Sequence, residues 1–213
     1  MPKRGFPVDN PTQVDLLRHG EHQLGDVICG VTNPLLTDRG MAQMEARCQG
    51  LIESGVRWDV CISSPRRRCA VFAERFSKKI GTDLVFNWDF AEVDFGEWEG
   101  LSFPEIHARF PGQWQSWMEK PDQPAPHHGE KYRDFLDRVQ VAWERTIESH
   151  RTKNILLISH GGVMRAIYTT VFALGPESSF HINVPHACHT RIMAYHHSAH
   201  SDWYQFDSHS PHP

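Results

Sequence analysis

Two short apolar runs in this chain end the same way. Val14-Asp15-Leu16-Leu17 stops at Arg18-His19-Gly20-Glu21, and Ile155-Leu156-Leu157-Ile158-Ser159 stops at His160-Gly161-Gly162. Runs of this kind suit strands buried on both faces of a sheet. Open α/β sheets present ligand-binding residues at the carboxyl ends of their strands. The pattern therefore predicts two imidazoles delivered to one crevice.

The remaining elements follow from the same reading. Residues 1–13, with three prolines, form an irregular lead-in, and the first strand covers 14–18. Residues 19–36 are a loop rich in Gly, Asp, Asn and Pro, long enough to suggest service to a site. Thr37 caps a helix whose apolar face is Met41, Met44, Cys48, Leu51 and Ile52. A second strand is expected at 59–63. Ser64 as N-cap and Pro65 as first residue then open a helix that turns Cys69, Phe72, Ala73 and Phe76 inward. A third strand is expected at 82–86, short helices at 102–110 and 113–119, and a Pro- and His-rich loop at 121–129. The helix from Glu130 to His150 has the clearest periodicity, with Tyr132, Phe135, Leu136, Val139, Trp143 and Ile147 on one face. A fourth strand follows at 154–159, then a helix opened by Gly161-Gly162, then final strands at 190–196 and 203–206.

This alternation predicts an α/β fold with a mainly parallel sheet and helices on both faces. No linker is long enough to divide the chain, so residues 1–213 read as a single domain with a core at about 14–195. Within it, 87–130 reads as an insertion over the sheet and 196–213 as a His-rich tail.

Composition narrows the function classes. The chain's 213 residues suffice for a substantial core. A net charge of −4 lacks the basic excess of a nucleic-acid or membrane-surface protein, so neither partner is expected. The apolar stretch 162–174 is interrupted by Arg165 and too short for a membrane span. The amino terminus lacks the apolar core of a signal peptide, and a cytoplasmic location is expected. Five cysteines without a C-x-x-C pair suit buried thiols better than disulfides or a zinc site. Of fifteen histidines, eight follow position 180. The tail they crowd could bind a soft divalent metal, although a solvated end is the simpler reading. His186 and His189 are expected to be structural.

The candidate chemistry begins with Arg66, Arg67 and Arg68 at a helix start, where the helix dipole disfavours cations. A bound anion would resolve that conflict. P-loop, dinucleotide-binding, H-E-x-x-H and G-x-S-x-G motifs are all absent. What remains is two imidazoles, several arginines and four carboxylates within 92–100. Arginine forks suit phosphate oxygens, so Arg18 and one of Arg66–Arg68 could clamp a phosphoryl group. A neutral His19 or His160 could attack phosphorus, the other imidazole, if protonated, could stabilise the charge, and Glu92 or a neighbour could protonate the leaving oxygen. That scheme requires no metal or cofactor. The rival is metal-assisted hydrolysis with His19, His160 and a carboxylate as ligands, set beside arginines that would repel a dication.

Four motifs resemble those of the histidine phosphatase superfamily, the phosphoglycerate mutase-like group. They are Leu17-Arg18-His19-Gly20-Glu21, Ser63-Ser64-Pro65-x-x-Arg68, Glu92-x-x-x-Gly96-x-Trp98-Glu99-Gly100 and Ser159-His160-Gly161-Gly162, in register from about residue 14 to 195. The resemblance implies a three-layer α/β/α sandwich and a phosphohistidine intermediate. It makes His19 the nucleophile and Glu92 the proton donor, has Arg18, Arg68 and His160 hold the phosphate, and leaves Arg66 and Arg67 as rim charges. Leu36-Thr37-Asp38-Arg39-Gly40 and His160-Gly161-Gly162-Val163-Met164-Arg165 make the chain most similar to bacterial alpha-ribazole phosphatases of cobalamin synthesis. That implies a small phosphate monoester as substrate. A phosphoglycerate mutase-like or broad sugar-phosphate phosphatase is the alternative, and a non-catalytic phosphate- or metal-binding protein a third reading. Two positions depart from the family pattern. Gly25 stands where many members place Asn, and His127-His128-Gly129-Glu130-Lys131 replaces P-x-G-G-E-S.

Overall fold

The alternating pattern is realised as six strands and six helices in a computed structural model that describes residues 10–120, 128–196 and 202–211. Strand β1 (Thr12–Arg18) leads through a long loop to helix α1 (Asp38–Glu53). Strand β2 (Val60–Ser63), helix α2 (Arg67–Ile80) and strand β3 (Asp83–Phe86) follow. Short helices α3 (Phe103–Arg109) and α4 (Gln113–Glu119) precede α5 (Tyr132–Ser149). The chain closes with β4 (Asn154–Ser159), α6 (Gly161–Phe172), β5 (His189–Tyr195) and β6 (Trp203–Ser210).

The sheet order is β3-β2-β4-β1-β5-β6. Pairings β3–β2, β2–β4 and β4–β1 are parallel, and β5 lies antiparallel between β1 and β6. Alternate side chains of the central strands enter two separate cores. Val14, Leu16, Ile155 and Leu157 pack with α5 and α6, whereas Leu17, Leu156 and Ile158 pack with α1 and α2. These are the three layers expected for strands covered on both faces. The 87–120 segment contributes Trp98, Ile106 and Trp117 to the α5–α6 core.

Several boundaries differ from the sequence reading, each for a local reason. Helix α2 begins at Arg67 rather than Pro65, with Arg66 at the cap position and no side-chain cap. Ser64 is instead turned towards His160, as described below. Thr37 does cap α1, accepting a hydrogen bond from the Gly40 amide. Helix α5 starts two residues after Glu130, because Glu130 forms a two-point ion pair with Arg138 at 2.6 and 2.9 Å. The described part of the His-rich tail is not a solvated end. Strand β6 runs to Ser210, and His209 bonds Thr190 Oγ1 and the Asn183 carbonyl at 2.7 and 2.8 Å. His196 is buried between Thr12 and Asp202. The polar residues of β6 mislead a pattern reading because an edge strand keeps one face in water. Residues 197–201 and 212–213 of the tail, and most of the 121–129 loop, lie outside the described residues.

Asp15, a carboxylate inside an otherwise apolar strand, is fully buried. It accepts from Trp58 Nε1 at 2.8 Å, His189 Nε2 at 2.7 Å and Arg191 Nε at 2.8 Å. His189 therefore has the structural role expected of it. Burial alone would raise the Asp15 pKa, but the hydrogen bonds and charges of His189 and Arg191 outweigh it and the pKa is lowered from 3.8. A carboxyl group held below its unfolded value stabilises the fold fully above that value and loses the contribution as pH falls through the folded one. Folding stability is thus expected to fall below about pH 4, by up to about 1.4 kcal/mol per pH unit from this single group. Asp15→Asn should flatten that acid limb. Denaturant midpoints across the acid range check it, and an unaltered limb in the Asn variant would overturn the assignment.

Candidate active site

The β1–β4 register pairs Arg18 with Ser159, so the next residues, His19 and His160, leave adjacent parallel strands together. Their ring centroids are 5.3 Å apart at 64°. The turn after β1 is held by a close backbone approach. A Cβ on Gly20 would stand 2.0 Å from the Gly40 carbonyl oxygen, and one on Gly40 would stand 2.0 Å from that of Glu21. Glycine at both positions lets the start of α1 lock the His19 turn, which ties the R-H-G and L-T-D-R-G motifs into one physical unit.

His19 is 3 % exposed, and its Nδ1 lies 2.8 Å from the Gly20 carbonyl oxygen. A carbonyl can only accept, so Nδ1 carries the hydrogen. Burial drives the His19 pKa well below 6.5, and the charges of Arg68 and Arg18 push it further down. The ring is therefore neutral and its Nε2 lone pair is free, the state a nucleophile needs.

His160 is fully buried and also neutral, its pKa lowered by burial and then by Arg68 and Arg18. Arg68 Nε donates to His160 Nδ1 at 3.2 Å, and Nε2 lies 2.7 Å from Ser64 Oγ, to which it donates. The protonation on which a charge-stabilising role of His160 was conditional is therefore not met, since an arginine can occupy that nitrogen only as a donor. Arg68 is also fully buried, donating to the carbonyls of Cys29, Gly30 and Thr32. Arg66 meets the Val31 carbonyl and lies over the Trp88 ring, and Arg67 is bonded through its backbone to Asn33, so both are peripheral as expected.

A cavity of about 270 Å³ opens in front of His19. Arg18, His19, Glu92, Gly161, Gly162 and Arg165 line it, together with the rings of Phe95, Phe103, Trp114, Trp117 and Phe180. Arg68 and His160 are not among its lining residues; His160 lies edge-on to His19 and is bonded to Arg68. Arg18 donates to the Val184 carbonyl at 2.6 Å, and its Nε is buried without a partner. Burial pushes its pKa down to about 10, so it stays charged at neutral pH.

Glu92 is held against the start of α6. Its oxygens accept from the Val93 amide at 3.1 Å and the Gly162 amide at 3.0 Å. A Cβ at Gly162 would lie 2.3 Å from Glu92 Oε1, so the second glycine of the H-G-G motif makes room for this carboxylate.

Sequence reasoning missed the supports of the site. Glu99 looked like one more acid, yet it accepts from the amides of Gly30, Val31, Thr32 and Phe95. It thereby shapes the loop whose carbonyls hold Arg68. Arg138 donates to the carbonyls of Asp89, Ala91 and Glu92 and so fixes the segment bearing the acid. His22 and His186 were also missed as neighbours, although each has its ring within 6 Å of His19, at 5.8 and 5.5 Å. His186, expected to be structural, therefore stands at the nucleophile, its pKa lowered by burial, Arg18 and His22 to about 3. Gly25 lies exposed at φ +68° and directs no side chain into the cavity.

Among the described residues, no three or more His, Cys, Asp or Glu side chains are arranged to hold a metal ion, so the rival ligand set is not assembled. No described helix is long and apolar enough to cross a membrane. All five cysteines are free and buried.

Residues 14–206 match the family model described as histidine phosphatase superfamily, branch 1. In sequence the chain is similar to the 2,3-bisphosphoglycerate-dependent phosphoglycerate mutase of Brucella anthropi, 30 % identical over 76 % of this chain and 82 % of that protein. It is also similar to the 2-carboxy-D-arabinitol-1-phosphatase of Triticum aestivum, 29 % identical over 80 % of this chain and 34 % of that protein. The chain spans 36 % to 41 % of the length of other curated relatives it matches. In structure it is similar to the alpha-ribazole phosphatase of Shigella flexneri, with a TM-score of 0.75 and 24 % identity over 92 % of this chain and 95 % of that one.

Proposed function

The chain belongs to the histidine phosphatase superfamily, and on that premise we propose that it is a metal-independent phosphomonoesterase acting through a phosphohistidine on His19. The observation that carries this reading is the His19 tautomer: Nδ1–H is tied to Gly20, leaving a free Nε2 in a cavity shared with Arg18 and Glu92. Nε2 attacks phosphorus, a P–N bond forms and the P–O ester bond breaks. Glu92 gives its proton to the departing oxygen. The same carboxylate then takes a proton from water, whose oxygen attacks phosphorus, releasing inorganic phosphate and restoring neutral His19. Arg18 neutralises the phosphoryl oxygens, as preorganised charge does most effectively in a water-poor site. Arg68 adds positive potential at His19, and His160, bonded to Arg68, packs edge-on to the nucleophile.

For substrate we propose alpha-ribazole 5′-phosphate. The motifs around His19, Arg68 and His160 support it, and so do the aromatic rings lining the cavity, which suit a flat apolar ring on the leaving group. The second reading, a sugar-phosphate phosphatase or phosphoglycerate mutase-like activity, is favoured by the Brucella anthropi and Triticum aestivum relatives.

Phosphate release from alpha-ribazole 5′-phosphate in the presence of EDTA tests both levels. A kcat/KM of at least about 10⁴ M⁻¹s⁻¹, the lower end for evolved enzymes, is expected. Faster turnover of sugar phosphates or phosphoglycerates would reassign the substrate. Activity that appears only on adding a metal would overturn the phosphohistidine reading.

A further inference from the structure

The edge strand β6 turns inward at its end. Trp203, Gln205, Phe206 and Asp207 are exposed, whereas Ser208, His209 and Ser210 are half-buried. His209 stands opposite Thr190 in the β5–β6 pairing. Its Nε2 lies 2.8 Å from the Asn183 carbonyl oxygen, and its Nδ1 lies 2.7 Å from Thr190 Oγ1. The carbonyl can only accept, so Nε2 carries a hydrogen, and in the neutral ring Nδ1 accepts from the Thr190 hydroxyl. Thr190 Oγ1 in turn takes a hydrogen bond from the buried Tyr168 hydroxyl at 2.7 Å. The imidazole is therefore oriented from one side so that it can hold a backbone carbonyl on the other.

The segment it holds, Asn183 to Cys188, meets the nucleophile and its neighbouring cation at several points. The Val184 carbonyl accepts from Arg18 Nη1 at 2.6 Å, and the Cys188 carbonyl accepts from the Arg18 amide. The Ala187 amide donates to the His19 carbonyl, and the His186 ring is 5.5 Å from that of His19. Ala187 has φ +53°, in the left-handed region that a residue with a side chain keeps only where its surroundings fix it. Arg47 of α1 adds a second tie by donating to the Ala187 and Ser210 carbonyls. The last two residues of β6 thus brace the segment that supplies the Arg18 acceptor.

We propose that His209 is a positioning residue for the phosphate site: by holding the Asn183 carbonyl it fixes the adjacent Val184 carbonyl, which aims the Arg18 guanidinium. The proposal rests on the reading of Arg18 as a phosphate ligand.

Titration calorimetry of the full chain with inorganic phosphate is the measurement, with melting temperature recorded for every variant. His209→Ala is expected to weaken phosphate binding roughly 3- to 10-fold, the fold-change that corresponds to one hydrogen bond. His209→Gln retains a distal N–H donor and should bind within twofold of the unaltered protein. Arg18→Lys keeps the charge without the fork and should itself lose roughly 3- to 10-fold. In that background His209→Ala should cost less than twofold more, because the group it positions is already gone. A His209→Ala variant that binds within twofold of the unaltered protein would overturn the proposal. So would a Gln variant as weak as the Ala variant, or an equal loss in both backgrounds, since His209 would then act on the fold at large. Should the Ala variant fail to fold, His209→Phe keeps the ring and loses both nitrogens, and it decides by the same thresholds. Unchanged affinity in Arg18→Lys would remove the reading of Arg18 and the proposal with it, whereas a loss there without one in His209→Ala would overturn the proposal alone.

Discussion

His19→Ala is expected to reduce turnover of any phosphate monoester by roughly 10⁴- to 10⁶-fold, the scale on which loss of a catalytic nucleophile acts. It should also eliminate the acid-labile phosphoenzyme that accumulates when the unaltered protein is quenched during turnover of a radiolabelled ester. The effect is large because the other strand-end imidazole cannot stand in. Both His160 nitrogens are engaged, by Arg68 and Ser64, and the ring is fully buried. The fold should survive the change. The His19 side chain makes one hydrogen bond, to Gly20, while its backbone keeps bonds to Ser159 and Ala187. Melting temperature therefore separates a chemical effect from an unfolded variant. An alanine variant that retains ordinary turnover would sink the nucleophile assignment.

Glu92→Gln should slow phosphoryl transfer by roughly 10²- to 10⁴-fold, the usual contribution of a positioned general acid. The amide keeps the size of the carboxyl group and can still accept one of the two backbone hydrogen bonds from Val93 and Gly162. What it cannot do is donate a carboxylic proton to the departing oxygen. The deficit should therefore depend on the leaving group: largest for an alkyl ester, whose alkoxide is a strong base, and much smaller for p-nitrophenyl phosphate, whose phenolate departs unaided. Equal losses on the two esters would show that Glu92 orders the site rather than protonating the leaving oxygen.

Much of this site was legible before any coordinates. Strands β1 and β4 are buried on both faces, so each must be apolar at consecutive positions, and such runs stand out in a sequence. Where a run of this kind stops at a charged or imidazole side chain, the chain is leaving the sheet at a ligand-binding edge. That logic located His19 and His160. The residue types already offered Arg18 and Glu92 or a neighbour, and the S-S-P and E-x-x-x-G spacings singled out Arg68 and Glu92 through family resemblance. The helix carrying Arg68 was started too early, because Ser64-Pro65 is a good local cap signal and nothing local reveals that Ser64 is needed opposite His160. Arg165 did leave a trace, as a single cation in an apolar helix, but that pattern by itself cannot say what the cation faces.

Local pattern is determined by which side chains can be buried, and burial is a property each segment carries with it. The sequence by itself therefore determined the α/β alternation, the two His-bearing strand ends and the family. Protonation, support and access depend on groups brought together from distant parts of the chain, and only the tertiary structure decided them. It made His160 neutral by burying it and placing the Arg68 donor on its Nδ1, and it converted Glu99 from a candidate acid into the anchor of the Arg68 loop. It also brought Arg18 and Arg165 together beside Gly161. Each of these arrangements depends on contacts between residues tens of positions apart, and the fold has to form before any of them exists.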